Sequence, residues 1–189
     1  MVYLSAKSPA EKMKSILESE VLKLMEKYAI ESRDENVLPV IRTFGNLAAG
    51  PDDQVALLFD QIQLASIVRQ QLMPRLDEPF NTHSRGDQIK TPRSVEKETL
   101  VLIGNLTAGP DEFLDIMFSG NEDLLDRVVD ILANEDYDLK KEACYSILNI
   151  CEHRQYFLKL PHKRMAPGTR LFFHPIPVPS NEWYLMQCL

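Results

Sequence analysis

Cysteine is scarce in this chain of 189 residues. Cys144, Cys151 and Cys188 make no paired framework, which excludes the disulfide-stapled class of small secreted domains and fits a reducing compartment. Basic residues are outnumbered, with 21 Lys and Arg against 28 Asp and Glu and a formal net charge of -7. A general nucleic-acid binder or a binder of anionic membranes needs basic surface, so both are excluded and basic partners are favoured. Long apolar runs are missing: Met1 to Pro9 holds no stretch of signal-peptide length, and no window approaches a membrane span. A soluble, intracellular protein is expected. Cys151-Glu152-His153 brings a thiol and an imidazole together, yet no second ligand pair follows at zinc-finger spacing, so neither a metal nor a cofactor is expected. Buried thiols beside a polar His account for that triplet. Phosphate-binding loop, metal-binding helix pair and nucleophile elbow are absent, and His83, His153, His162 and His174 fall mainly in expected loops or tail. No enzyme is expected.

What the chain has is a repeat. Gly45-Asn46-Leu47-Ala48-Ala49-Gly50-Pro51-Asp52-Asp53 returns as Gly104-Asn105-Leu106-Thr107-Ala108-Gly109-Pro110-Asp111-Glu112, each copy closing an apolar run and opening an acidic one. A weaker third copy lies at Leu148-Asn149-Ile150. Lys140-Lys141-Glu142-Ala143 precedes it much as Glu96-Lys97-Glu98-Thr99 precedes the second. Asn46 and Asn105 are 59 residues apart and Asn105 and Asn149 are 44 apart. The excess in the first interval matches the stretch 74–92, where Pro74, Pro79, Asn81, Ser84, Gly86, Asp87 and Pro92 predict an exposed insertion. Self-similarity at some forty residues predicts an all-α solenoid of about three repeats, an architecture that binds along an elongated surface.

Helix punctuation supports that architecture. Ser8-Pro9-Ala10-Glu11 combines a capping hydroxyl, Pro at the first helical position and a Glu that completes a capping box, predicting an amphipathic helix from there to about Ile30. Its inward side is expected to carry Met13, Ile16, Leu17, Val21, Leu24, Met25 and Tyr28. A second helix is expected over Asn36 to Ala49, with Gly50 at its end in left-handed geometry. A third runs from Asp52 to about Leu72. Further helices are expected over Ser94 to Ala108, Asp111 to Phe118, Asp123 to Ala133 and Asp138 to Cys151. The chain thus divides into an amino-terminal helical segment, 1–34, repeats over 35–160 with the insertion at 74–92, and an irregular Pro-rich tail, 161–189. Two clear repeats and a partial third are near the minimum for a stable stack, so the ends call for caps or further repeats; without them, self-association or marginal stability is expected.

Leu38-Pro39-Val40-Ile41-Arg42-Thr43-Phe44-Gly45-Asn46-Leu47-Ala48-Ala49-Gly50 resembles an armadillo repeat of importin-α. Lys97 to Gly109 and Asp138 to Asn149 look like the next two, with the look of that family's carboxy-terminal repeats, and the resemblance covers about Asn36 to Cys151. It implies a groove lined by the third helix of each repeat, in which an Asn amide pairs with the backbone of an extended basic peptide. A Trp four residues earlier commonly forms a slot for Lys or Arg. By this resemblance Asn46, Asn105 and Asn149 hold the amide positions, and Arg42, Val101 and Tyr145 the aromatic ones. Only Tyr145 remains aromatic, and Val101 departs from the pattern.

The resemblance implies an adaptor that binds Lys/Arg-rich localisation peptides for import into the nucleus, working in cytoplasm and nucleus. Asp111 to Asp138 carries ten acidic residues and one basic one, Arg127, and this acidic region is expected to draw basic cargo toward the groove or to form a solvated face. The basic amino-terminal segment through which importin-α proteins engage importin-β is missing, so that carrier is reached only through another chain or segment. The alternative is a divergent armadillo scaffold for other protein segments, like the armadillo region of transmembrane and coiled-coil domain proteins. Val101 and the missing Trp residues favour it. A lone Asn in a last helical turn is also explained without any ligand.

Overall fold

The structure is a computed structural model that describes residues 10–73 and 91–153; side chains are described from Met13 onward. The expected helix start at Ser8-Pro9, almost all of the insertion, and the tail lie outside the described residues. Among those described are nine α-helices, one 3-10 turn and no strand. The helices are α1 (Ala10–Leu17), α2 (Glu20–Glu31), α3 (Leu38–Ala48), α4 (Asp52–Gln61), α5 (Leu64–Leu72), α6 (Arg93–Thr107), α7 (Asp111–Phe118), α8 (Glu122–Asn134) and α9 (Tyr137–Glu152). The 3-10 turn, Glu35–Val37, leads into α3.

They group in threes. Helix α1 packs on α4, α2 on α5 and α5 on α8, while α3 packs on α6 and α6 on α9. Each triple is therefore one repeat, and the third helices α3, α6 and α9 form one continuous layer. That layer is held by positions in the same register. Phe44, Ile103 and Ile147 lie two residues before the three Asn positions, and Leu47, Leu106 and Ile150 lie one after; all six are buried. Fully burying a side chain of this size contributes about 1.5 to 3 kcal/mol, so this two-row seam is a principal source of cohesion between repeats. The insertion falls between the second and third helices of the middle repeat.

Two helices of the sequence reading prove to be four. The helix expected from Ser8 to Ile30 breaks at Glu18-Ser19, where Ser19 adopts extended backbone and both its N–H and its hydroxyl donate to the Ile16 carbonyl, the hydroxyl at 2.7 Å. A serine hydroxyl that satisfies the backbone locally competes with helix continuation. The break resets the helical phase, so Leu22 and Ala29 face inward, whereas Val21 and Leu24, expected inside, are 44% and 66% exposed. Residues 10–31 thereby supply the first two helices of the first repeat.

The helix expected over 52–72 breaks at Ile62-Gln63. There the Gln63 N–H donates to Glu26 Oε1 at 2.6 Å, and Lys23 Nζ donates to the Gln61 carbonyl. Helix α2 thus holds the corner of the following repeat by satisfying backbone groups that a helix end leaves bare. The same device recurs at helix carboxy ends. Gln71 Nε2 donates to the carbonyls of Ala29 and Ser32 at the end of α2, and Arg127 Nε donates at 3.1 Å to the Leu72 carbonyl at the end of α5.

Gly50 also differs from expectation. Among the described glycines only Gly120, at the corner between α7 and α8, has positive φ. A side chain at Gly50 would instead collide with Gln54, whose Nε2 reaches back to the Leu47 carbonyl at 2.7 Å; at Gly109 it would collide with the Phe113 ring. At Gly50 the clash falls on the movable end of Gln54, so a side chain there would displace its bond to Leu47; close approach rather than handedness marks the position.

Candidate third-helix face

The solvent-facing stripe of each third helix is set by helical periodicity. In α6 the buried set Val95, Glu96, Thr99, Leu100, Leu102, Ile103, Leu106 and Thr107 leaves Ser94, Lys97, Glu98, Val101, Asn105 and Ala108 outward. In α3 the corresponding stripe is Arg42, Asn46 and Ala49, and in α9 it is Asp138, Lys141, Glu142, Tyr145, Asn149 and Glu152. The structure therefore gathers all six sequence-predicted positions on one face. They form two rows: Arg42, Val101 and Tyr145, then Asn46, Asn105 and Asn149.

The amide row has partners within the fold. Asn105 Nδ2 donates to the Gly45 carbonyl at 2.9 Å, and Asn149 Nδ2 donates to the Gly104 carbonyl at 2.8 Å. Each amide thus reaches the residue just before the preceding repeat's own Asn, near the carboxy end of the preceding third helix. Gly45 already accepts from the Ala49 N–H at 3.1 Å and Gly104 from the Thr107 hydroxyl at 3.1 Å, so each amide adds a second donor and ties one repeat to the next. An amide offers two N–H groups and an acceptor oxygen, so one such bond does not exhaust it.

The other row is mixed. Arg42 Nε donates to Glu98 Oε1 at 2.8 Å, joining the first and second third helices. Val101 is half-buried and apolar. Tyr145 is 54% exposed, and Lys141 Nζ, one turn earlier, lies 5.9 Å from its ring centroid. Tyr137, at the start of the same helix, is 77% exposed.

The acidic run lies elsewhere. Asp111, Glu112 and Asp115 are on α7, and Glu122, Asp123, Asp126 and Asp130 are on α8, the first and second helices of the last repeat. Of the run, Asp138 belongs to the third-helix stripe, and the residues on α7 and α8 lie outside it. Asp111 and Glu112 occupy the first turn of α7, where carboxylates favour the positive helix end. Asp123 pairs with Arg69 through two bonds of 2.6 and 2.5 Å, and this guanidinium holds its carboxyl below the usual carboxylate range.

One feature escaped the sequence reading: the Arg127 hub. Its guanidinium meets Asp130 at 2.7 Å, Glu96 at 3.7 Å and Glu135 at 3.8 Å, besides the Leu72 carbonyl. Leu72 precedes the insertion and Glu96 follows it, so the last repeat grips both stems. The only hint was the single basic residue in an acidic run. Cys144 and Cys151 are half-buried thiols outside any disulfide, and the Cys151 pKa is pushed up to about 11, chiefly by burial and then by Cys144 and Glu152. No group of His, Cys, Asp and Glu that could hold a metal occurs among the described residues. No described helix is long and apolar enough to cross a membrane.

No known protein family and no curated protein matches the chain. Solved structures do. A designed armadillo repeat protein in complex with the peptide (KR)4 is similar with a TM-score of 0.64 at 22% identity, over 84% of this chain and 59% of that one. Computationally designed armadillo repeat proteins for modular peptide recognition match with the same TM-score, identity and coverage. An engineered protein matches with a TM-score of 0.65 at 18% identity, over 84% of this chain and 58% of that one. This chain therefore spans less than two thirds of the length of these proteins. The likeness, with the three-helix repeats and the third-helix layer, defines the fold as an armadillo-type α-solenoid.

Proposed function

We propose that this chain is a binding scaffold that lays an extended Lys/Arg-bearing localisation segment along its third-helix face, as an importin-α-like adaptor for protein import into the nucleus. It is not an enzyme in this reading. The observation that carries the proposal is the pair of parallel rows on α3, α6 and α9, repeated at the same register in three consecutive repeats. A regularly spaced surface suits a ligand that is itself regular, as an extended peptide is. Glu98, Glu142, Asp138 and Glu152 supply carboxylates along that face, and Tyr145 supplies an exposed ring. The peptide bound by one structural neighbour, (KR)4, is of the same chemistry.

A second reading has its own support. Arg42 and Lys141 place cations on the face and Val101 replaces an aromatic, features that suit a scaffold for a segment that is not basic. Fluorescence anisotropy separates the two. The purified chain is titrated with a Lys-rich localisation peptide, a charge-matched scrambled peptide and an uncharged peptide at several salt concentrations. Selective binding of the first, weakened by Tyr145→Ala, supports the adaptor. Equal binding of the two charged peptides, or binding of the uncharged one alone, sinks it in favour of the divergent scaffold.

A further inference from the structure

Two cations on the third-helix face already sit on the groups that a basic ligand would seek. Arg42 stands four residues before Asn46, and its Nε reaches Glu98 on the next third helix at 2.8 Å. Lys141 stands one turn before Tyr145 and holds its ammonium 5.9 Å from the ring centroid. Between them Val101 offers neither carboxylate nor ring. The only exposed ring in the Arg42, Val101, Tyr145 row, and the carboxylate that bridges α3 to α6, thus both carry an internal cation. Both pairs are at the solvent side: the Arg42 side chain is 48% exposed, and Lys141 and Tyr145 are exposed.

We propose that Arg42 and Lys141 are built-in competitors that set the selectivity of this face, occupying Glu98 and the Tyr145 ring until a ligand's own Lys or Arg displaces them. The inference rests on the binding reading above and adds to it the residues that determine which basic segments are admitted. Exposed ion pairs and exposed cation–aromatic contacts are weak, each corresponding to a factor of about two to five in an equilibrium constant. Such pairs open readily, yet each reduces the gain of the ligand cation that replaces it. A segment with two cations, spaced to reach α3/α6 and α9 together, recovers both contacts in one binding event. The displaced Arg42 and Lys141 then remain beside the ligand, where they repel a third cation placed between the two sites. The face is thereby selective for spaced rather than continuous basic residues.

The test is a set of anisotropy titrations of the full chain with a Lys/Arg-rich peptide. Arg42→Gln and Lys141→Gln are each expected to tighten binding about two- to fivefold. The Arg42→Gln gain is expected to vanish in a Glu98→Gln background, and the Lys141→Gln gain in a Tyr145→Leu background. A measurement without substitution accompanies these. The ε-methylene protons of Lys141 are expected upfield in the free protein, under the ring current of Tyr145, and to move toward the random-coil position as peptide is added. Gains that persist in the matching backgrounds reveal a plain net-charge effect and overturn the inference. Wild-type binding that neither single substitution changes overturns it while leaving the binding reading intact. Absence of binding by the wild type and all variants overturns both.

Discussion

Replacing Asn149 removes the amide N–H that reaches the Gly104 carbonyl at 2.8 Å and its 3.5 Å approach to Thr107 Oγ1. Gly104 lies in the last turn of α6, where carbonyls lack intrahelical donors, but the Thr107 hydroxyl also donates to it at 3.1 Å. The carbonyl is therefore not orphaned by Asn149→Ala, and the loss is that of one ordinary hydrogen bond, about 1 to 1.5 kcal/mol. Alanine is the better helix former by roughly 0.5 kcal/mol, which leaves a net destabilisation of about 0.5 to 1 kcal/mol. Asn149→Asp lacks that compensation. It presents carboxylate oxygens to a carbonyl at the negative end of α6, so a loss of about 2 kcal/mol is expected. In a domain of this size about 1 kcal/mol shifts Tm by roughly 2 to 4 °C, giving losses of about 1 to 4 °C for alanine and about 4 to 8 °C for aspartate. Circular-dichroism melts, with urea midpoints beside them, check both. An Asn149→Asp protein that melts with its parent refutes the assignment of this amide to the cohesion of the stack.

Arg127→Ala removes the cation that faces buried Glu96 and the donor to Leu72, so a loss of about 3 kcal/mol is expected in urea unfolding; the double variant Arg127→Met, Glu96→Gln recovers part of it. The Asp123 carboxyl is held low chiefly by its hydrogen bonds from Arg69. Its folded pKa lies below the unfolded one, so the pair's contribution is present above the ordinary carboxylate pKa and is lost as pH falls through the depressed value. Arg69→Gln should therefore lower stability at neutral pH by no more than about 0.5 kcal/mol, because the pair is half exposed, and should flatten the acid limb of a stability-against-pH curve. Cys151 has the opposite sign. With its folded pKa raised to about 11, stability is full below the ordinary thiol pKa and declines as pH rises toward that value. At pH 8 only on the order of one Cys151 in a thousand is thiolate, so disulfide-reagent labelling should be slow in the native chain and fast in urea.

The repeat was legible in the sequence wherever its punctuation is local. Gly-Pro followed by acidic residues marks the passage from α3 to α4 and from α6 to α7, and Gly120 marks the corner between α7 and α8. The equivalent corners at Ser19 and Ile62-Gln63 carry neither Gly nor Pro. At the second of these, Glu26 and Lys23, more than thirty residues away, satisfy the exposed backbone groups, and no window of sequence contains both sides of that contact. The inward face of α2 was misjudged for the same reason: periodicity read across an unseen break places Val21 and Leu24 on the wrong side. Gly50 shows the converse, a residue correctly marked as special whose reason, room for Gln54, is a packing fact rather than a backbone one.

The six candidate positions were legible as a register, but the partner of each was not. An Asn in the last turn of a third helix meets a backbone carbonyl whether that carbonyl belongs to the preceding repeat or to an extended ligand, and its identity and spacing are the same in both cases. The two readings are not exclusive, because the amide has a second N–H and an oxygen beyond the bond to Gly45 or Gly104. They do make Asn105 and Asn149 poor probes of function taken alone. A substitution there loosens the stack that positions all the other groups, so weaker peptide binding would follow even if no ligand touched the amide. Val101 and Tyr145 stand apart from this difficulty, and Arg42 nearly so, because its exposed ion pair with Glu98 adds little to the cohesion of the stack. The Tyr145 ring and the Arg42 head are solvent-facing, and neither side chain caps a neighbouring helix. A change in ligand affinity at these positions without a change in Tm would report on the face itself, and that separation decides whether the third-helix layer is a binding surface or only the seam of the solenoid.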